Sequence, residues 1–210
     1  MRSIVIGAIV CCIAAVGYGE SVKVPSQAIG GMSTWTLDVV FEQPQEITLR
    51  LPGDSTDTSY WYIILSLTNK SGQEVGFYPD CDLMTDTYQI LQAGVGVRGD
   101  VYEKIKARHQ DRYPFLEPLE TASGKLQQGE DHTKDVVVVW KNFDNDARGV
   151  KFFIGGLSNE TQAVDKPAAG ASGEQVLLRK TLELDYVISG DPSMKTQDSL
   201  AYKGKSWVMR

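Results

Sequence analysis

"YWYIILSLTN", Tyr60 to Asn69, is the stretch on which the reading of the fold turns. Trp61, Ile63, Leu65 and Leu67 recur at every second position. A period of two places them on one face of a strand, with the other face turned away from that core. The same period recurs outward along the chain. Trp35, Leu37, Val39 and Phe41 alternate with Thr36, Asp38 and Val40, and Ile47, Leu49 and Leu51 alternate with Thr48 and Arg50. Leu182, Leu184, Tyr186 and Ile188 form one face of "KTLELDYVIS". "VVVVW", Val136 to Trp140, is a continuous apolar run, and its β-branching and length predict a strand buried on both sides. "VKFFIGGLS" reads as a further strand with a bulge or close approach at Gly155-Gly156, and "SWVMR" closes the chain as the last one.

Turn signals separate these runs. "PGDSTD" divides the second strand from the third, and "NKSGQE" follows the third, with Gly72 at the turn. Asp165 to Glu174, "DKPAAGASGE", reads as a small-residue loop. About eight strands so spaced predict an antiparallel β-sandwich.

The ends and composition set the class. Arg2 followed by the uncharged apolar run Ile4 to Val16, with small residues at Gly17 and Gly19, has the layout of a secretory leader over residues 1–19. The run is shorter than the about 20 residues of a membrane span. A linker over 20–33 and one domain over 34–210 would follow. Removing Arg2 takes the formal charge from −6 to −7. A mildly acidic chain carries no electrostatic footprint for nucleic acid. Cys11 and Cys12 go with the leader, leaving Cys81 as the one thiol, so no intrachain disulfide is expected, while one to a second chain stays open. The chain of about 190 residues that remains is long enough to be held by its apolar core.

"GVGVRGDVYEKIKARH", Gly94 to His109, contains Gly94, Gly96 and Gly99 in dinucleotide-like spacing. That motif needs a buried strand before it and a second parallel strand soon after. "DTYQILQ" before it is half polar and the next strand is distant, so the glycines read as turn formers. A short helix follows, with Asp100 as N-cap, Glu103 three residues on, and Val101 and Ile105 on one face.

Four groups are candidates for chemistry. Asp80, Cys81 and Asp82, with His132 far along the chain, offer metal-ligating side chains, but no histidine lies at short spacing from the cysteine. Cys81 reads equally as a small apolar strand residue. Glu130, Asp131, His132 and Asp135 place carboxylates beside a histidine, as acid-base chemistry requires, or as a solvated approach to "VVVVW" shows. "DNDARG", Asp144 to Gly149, begins like a calcium loop but has Arg148 at a ligand position and Gly155 where glutamate is needed, so it reads as a hairpin turn. Lys104, Lys106, Arg108 and Arg112 make a local basic group that could bind a partner or simply face water. Exposed Tyr78, Tyr102 and Tyr113 would strengthen a binding surface.

The stretch "YWYIILSLTNKSGQEVGFYPDCDLMTDT" resembles the exported Ig-like β-sandwich proteins of planctomycete-type bacteria. The resemblance continues through "IKARH", "GKLQQGED", "FFIGGLS", "KTLELDY" and "WVMR", covering residues 35–210. It implies a secreted Ig-like antiparallel β-sandwich with one short helix in a long loop, and it carries no catalytic residues. Cys81 departs from the ordinary strand residue expected at its position. The expectation is therefore an exported, non-enzymatic protein of the bacterial periplasm or envelope, needing no cofactor, which binds or scaffolds an envelope protein or glycan. A metal-binding envelope module and a carboxylate-dependent glycan hydrolase are the alternatives.

Overall fold

The computed structural model describes residues 27–28, 33–165 and 175–210. The expected leader with Cys11 and Cys12, most of the expected linker, and residues 166–174 of the small-residue loop lie outside the described residues. In chain order the first elements are β1 (Gln27–Ala28), β2 (Asp38–Phe41), β3 (Gln45–Leu49), β4 (Thr58–Asn69), β5 (Val75–Phe77), β6 (Cys81–Thr85), β7 (Ile90–Gln92) and α1 (Gly99–His109). They continue with β8 (Glu117–Pro118), α2 (Leu119–Ala122), β9 (Gly124–Leu126), β10 (Gly129–Lys141), β11 (Gly149–Ile154), β12 (Glu160–Asp165), β13 (Gln175–Ile188) and β14 (Leu200–Met209). The protein is mostly β, and its strands form a seven-stranded sheet, a five-stranded sheet and the small β5–β9 pair.

β4 and β10 are the centre of the five-stranded sheet. They run antiparallel, with Ile63 opposite Val138 and Trp61 opposite Trp140. The inward face of this pair carries Trp61, Ile63, Leu65, Val136, Val138 and Trp140, all fully buried. Leu83, Phe152, Leu184 and Tyr186 of the seven-stranded sheet complete the same core. The contact is aromatic at its middle, with ring centroids 5.1 Å apart for Trp140–Phe152 and 5.7 Å for Phe152–Tyr186. Burial of each such side chain stabilises by about 2 kcal/mol, so this shared face is what joins the two sheets.

The alternation in "YWYIILSLTN" suggested burial on one side only, and the structure corrects this. Tyr60, Tyr62 and Ile64 of β4 are buried too, together with Val137 and Val139 of β10. Their cover is α1, whose Val101 and Ile105 pack on them with Leu116. The two-sided burial expected of "VVVVW" is thus present, and β4 shares it. The reason is legible in hindsight: Tyr60 to Leu65 has no polar residue at the even positions.

Three further expectations change. The number of strands rises in part because β4 and β13 each face two shorter strands along one side. β2 and β3 lie end to end along β4, pairing with Leu65–Thr68 and Thr58–Tyr62 respectively. β11 and β12 do the same along β13. Second, Asp144 to Gly149 does not form a hairpin, because β10 and β11 belong to different sheets. The segment crosses between the sheets and buries Phe143 and Ala147 at the end of the core. Lys195, almost fully buried, covers that end: its Nζ donates to Asn145 Oδ1 at 2.7 Å and lies 4.7 Å from the Phe143 ring centroid. Third, the N-cap of α1 is Arg98 rather than Asp100, and Asp100 sits in the first turn 3.0 Å from the Arg98 guanidinium.

The Gly155-Gly156 break is a close approach, as its sequence suggested. Gly155 N donates to Asp80 O at 2.8 Å, and a Cβ on Gly155 would sit 2.7 Å from that oxygen. Gly156 has φ +82°, and a Cβ there would collide with the Tyr78 carbonyl. Gly190 has a similar φ of +85° but open space around it. Gly190→Ala is expected to cost about 1 kcal/mol, from backbone conformation alone. Gly156→Ala is expected to cost roughly 3 kcal/mol or more. Urea unfolding of the two variants checks the difference, and equal losses would refute the steric account of the break.

Candidate functional site

The residues singled out from sequence are not brought together. Cys81 is free and buried on the inward face of β6. Burial, with Asp80 beside it, pushes its thiol well above the ordinary range. Asp82, its neighbour, points to the opposite face and pairs with Arg210 at 3.0 Å. His132 is exposed on β10, in the other sheet. Among the described residues, no group of three or more His, Cys, Asp or Glu is placed to hold a metal ion. The acidic residues around His132 have structural tasks instead. Asp135 accepts from Ser66 Oγ at 2.5 Å, and Glu130 lies 3.3 Å from Lys70 Nζ.

The basic group divides. Arg112 pairs with Glu42 at 2.8 Å. Arg108 donates to Glu46 O at 3.1 Å and to the Tyr62 hydroxyl at 3.4 Å. Lys104 and Lys106 stay exposed on α1. Two arginines therefore help to seat the helix on the five-stranded sheet. His109 belongs to the same seat, with its Nε2 2.9 Å from the Tyr62 hydroxyl. Tyr113 donates to Glu42 at 2.5 Å, and burial with that carboxylate pushes its phenol up to about 12. Tyr102 donates to Glu120 at 3.0 Å, so of the three tyrosines only Tyr78 is exposed. Gly94 and Gly96 have positive φ, as turn formers do, and the side chains of Glu120 and Lys141 occupy the space where their Cβ atoms would be.

A different site emerges on the solvent-facing side of the seven-stranded sheet. β6, β11, β13 and β14 lie side by side there, in the register Met84–Lys151–Asp185–Gly204. A register shift between β13 and β14 falls at Asp185/Tyr186. Gly149 and Val187 make a low floor between taller neighbours, and a groove of about 520 Å³ opens over them. Its charged walls are Asp86, Arg148, Lys151, Asp185 and Lys203. Lys151 pairs with Glu183 at 2.8 Å and Lys203 with Asp185 at 3.6 Å, while the Arg148 guanidinium has no ion pair among the described residues. Both signs of charge line one trough, which suits a polar ligand with several hydroxyl or amide groups.

Tyr88 stands at the rim. It is 82% exposed, and its φ of +65° makes it the one left-handed residue other than glycine among the described residues. A bulky side chain there costs about 1–2 kcal/mol. The surrounding turn is fixed from several directions. Thr85 and Gln89 exchange hydrogen bonds across it, and Tyr88 N donates to Thr85 O at 3.0 Å. Thr87 Oγ1 donates to Asp144 at 2.6 Å, and Gln89 Oε1 accepts from Asp144 N at 2.7 Å. The crossover segment thus bolts the turn in place and presents an aromatic ring beside the groove. Sequence reading missed Tyr88, since "TDTYQ" gives no sign of a left-handed tyrosine. It also missed the groove, which exists only once four distant strands are adjacent.

Comparison with protein-family models, with curated proteins and with solved structures gives no match. Among the described residues, no helix is long and apolar enough to cross a membrane.

Two outcomes follow from the buried groups. Native Cys81 is expected not to react with a thiol reagent such as DTNB, and to react fully in denaturant. Cys81→Ser should cost about 1–3 kcal/mol, since a hydroxyl replaces an apolar-like thiol in the core. Rapid native labelling would refute the inert packing role. For His109, burial first and then Arg108 hold its pKa below the ordinary 6.5. The folded protein therefore binds this proton more weakly than the unfolded chain. The stabilisation from keeping it neutral is complete above the ordinary value and is lost as pH falls through the lowered one. His109→Gln should flatten the fall in melting temperature below pH 6.5, and an unchanged pH profile would remove His109 from the account.

Proposed function

We propose that the protein is an exported, non-enzymatic Ig-like β-sandwich of the bacterial envelope, and that it binds or scaffolds a glycan or protein component through the groove beside Tyr88. The observation that carries this reading is the cost of Tyr88. A left-handed, exposed tyrosine, on a turn braced by the crossover segment, strains the backbone where a glycine would fit better. Such a residue makes sense as a contact for something outside the chain. Two sheets locked by an aromatic core supply the rigid frame that a binding surface needs. The mixed charges of the groove suit hydroxyl-rich or amide-rich ligands.

The hydrolase alternative is less well supported. Asp86 and Asp185 line the same groove, but Asp86 accepts from Arg148 N at 3.1 Å and Asp185 faces Lys203 at 3.6 Å. Both carboxylates are thus already engaged, Asp86 by a backbone amide and Asp185 by an ammonium.

The test separates binding from folding. Tyr88→Gly should raise stability slightly, by about 1 kcal/mol or less, while weakening contact with the ligand. The chain from Glu20 onward is mixed with envelope fragments of the native host and sedimented. Wild-type protein is expected in the pellet, and Tyr88→Gly largely in the supernatant. Wild-type protein left in the supernatant, or equal sedimentation of the two, would overturn the assignment.

A further inference from the structure

β14 is the final strand, and it pairs only with β13 among the described residues. Its other edge is open. Arg179 and Arg210 exchange two backbone hydrogen bonds, of 2.7 and 3.1 Å. In an antiparallel ladder, alternate residues bond to alternate sides. Lys205, Trp207 and Met209 therefore turn their backbone groups to the open edge. β2, at the border of the facing sheet, pairs only with β4. The two free edges flank a groove of about 400 Å³, with Leu37, Val39 and Val40 on one wall and Leu182, Lys205 and Trp207 on the other. Its rim carries exposed apolar side chains, with Val40 72% and Trp207 40% exposed, and one carboxylate, Asp38, which pairs with Lys70 at 3.0 Å.

Charge selects the occupant. Residues 200–210 contain Lys203, Lys205 and Arg210 and no Asp or Glu. Lys203 and Arg210 are paired on the outer face, with Asp185 and Asp82. Lys205 turns inward over the Phe41 ring, 5.9 Å from its centroid, and has no ion pair among the described residues. A second copy pairing antiparallel about Lys205 would set the two inward-facing Lys205 side chains against each other, and like charges directly opposite are destabilising. Lys205 thus guards the edge against this self-pairing, while a carboxylate-bearing strand would be drawn to it.

We propose that this edge accepts an extended peptide from another protein, added as an antiparallel strand beside β14, with an apolar side chain lodged against Trp207 and a carboxylate facing Lys205. Main-chain hydrogen bonds supply affinity, and the groove and Lys205 supply selection. The site opens toward the facing sheet, away from the Tyr88 groove, so it does not rest on that reading.

The probe is an end-capped heptapeptide, Thr-Thr-Val-Thr-Glu-Thr-Thr, whose valine and glutamate are two residues apart and so share the face presented to Trp207 and Lys205. It is compared with the same peptide carrying lysine for glutamate, and with one N-methylated at alternate amides so that it cannot bond to an edge. Amide hydrogen exchange at Lys205, Trp207 and Met209 reports strand addition, and Trp207→Phe identifies the fluorescence change. The valine–glutamate peptide should slow exchange at those three amides. Lys205→Glu, an exposed change that leaves the core intact, should weaken binding about fivefold. Three outcomes would overturn the proposal. They are unchanged exchange at millimolar peptide, equal binding of the N-methylated or lysine peptide, and a concentration-dependent dimer of the free chain in which these amides are already protected.

Discussion

Everything in the fold depends on one pair of strands having no solvent face. β4 and β10 meet along eight consecutive residues, Lys134 to Lys141 of β10, and are apolar above and below at their centre. Neither face can be left to water, since each fully buried aliphatic or aromatic residue accounts for about 2 kcal/mol. The seven-stranded sheet covers one face and α1 covers the other. The arginines that sequence reading offered as a binding group are explained by this demand. They fasten the helix that closes the second face, through Glu42, Glu46 and the buried Tyr62. The crossover with Phe143, Ala147 and Lys195 seals the end of the first.

Much of this architecture was readable. "VVVVW" announced two-sided burial by lacking any polar break, and Gly155-Gly156 announced a backbone contact by lacking side chains. Val101 and Ile105 sit on the buried face of a helix as their spacing required. The misreadings share a cause. A turn such as "DNDARG" looks the same whether it returns to its own sheet or crosses to another, and only the burial of Phe143 and Ala147 decides which. Split partners behave alike: β2 and β3 along β4, or β11 and β12 along β13, are separate runs in sequence but one line in space.

The site was much less readable than the frame. Charged residues that look like a cluster in sequence alternate between faces of a strand, as Cys81 and Asp82 do, or are neutralised by partners tens of residues away. Tyr88 and Arg148 acquire meaning only from strand adjacency. Their local sequence is that of any polar loop. A groove made by four strands from three parts of the chain has no local signature to find.

The central pairing also has a consequence in time. Ser66 bonds to Asp135, 69 residues further on. The partner of β4 therefore emerges long after β4 itself, and so does the helix that shelters its second face. Pairings of such high sequence separation form slowly. Until β10 arrives, "YWYIILSL" can pair with β2 and β3 along one edge only, and its other edge is an uncharged run of strong strand formers, the composition that self-associates most readily. A chain that emerges from its amino end thus passes through an interval in which its best core segment is its greatest liability. That interval, rather than the stability of the finished fold, is where a holding chaperone would matter most.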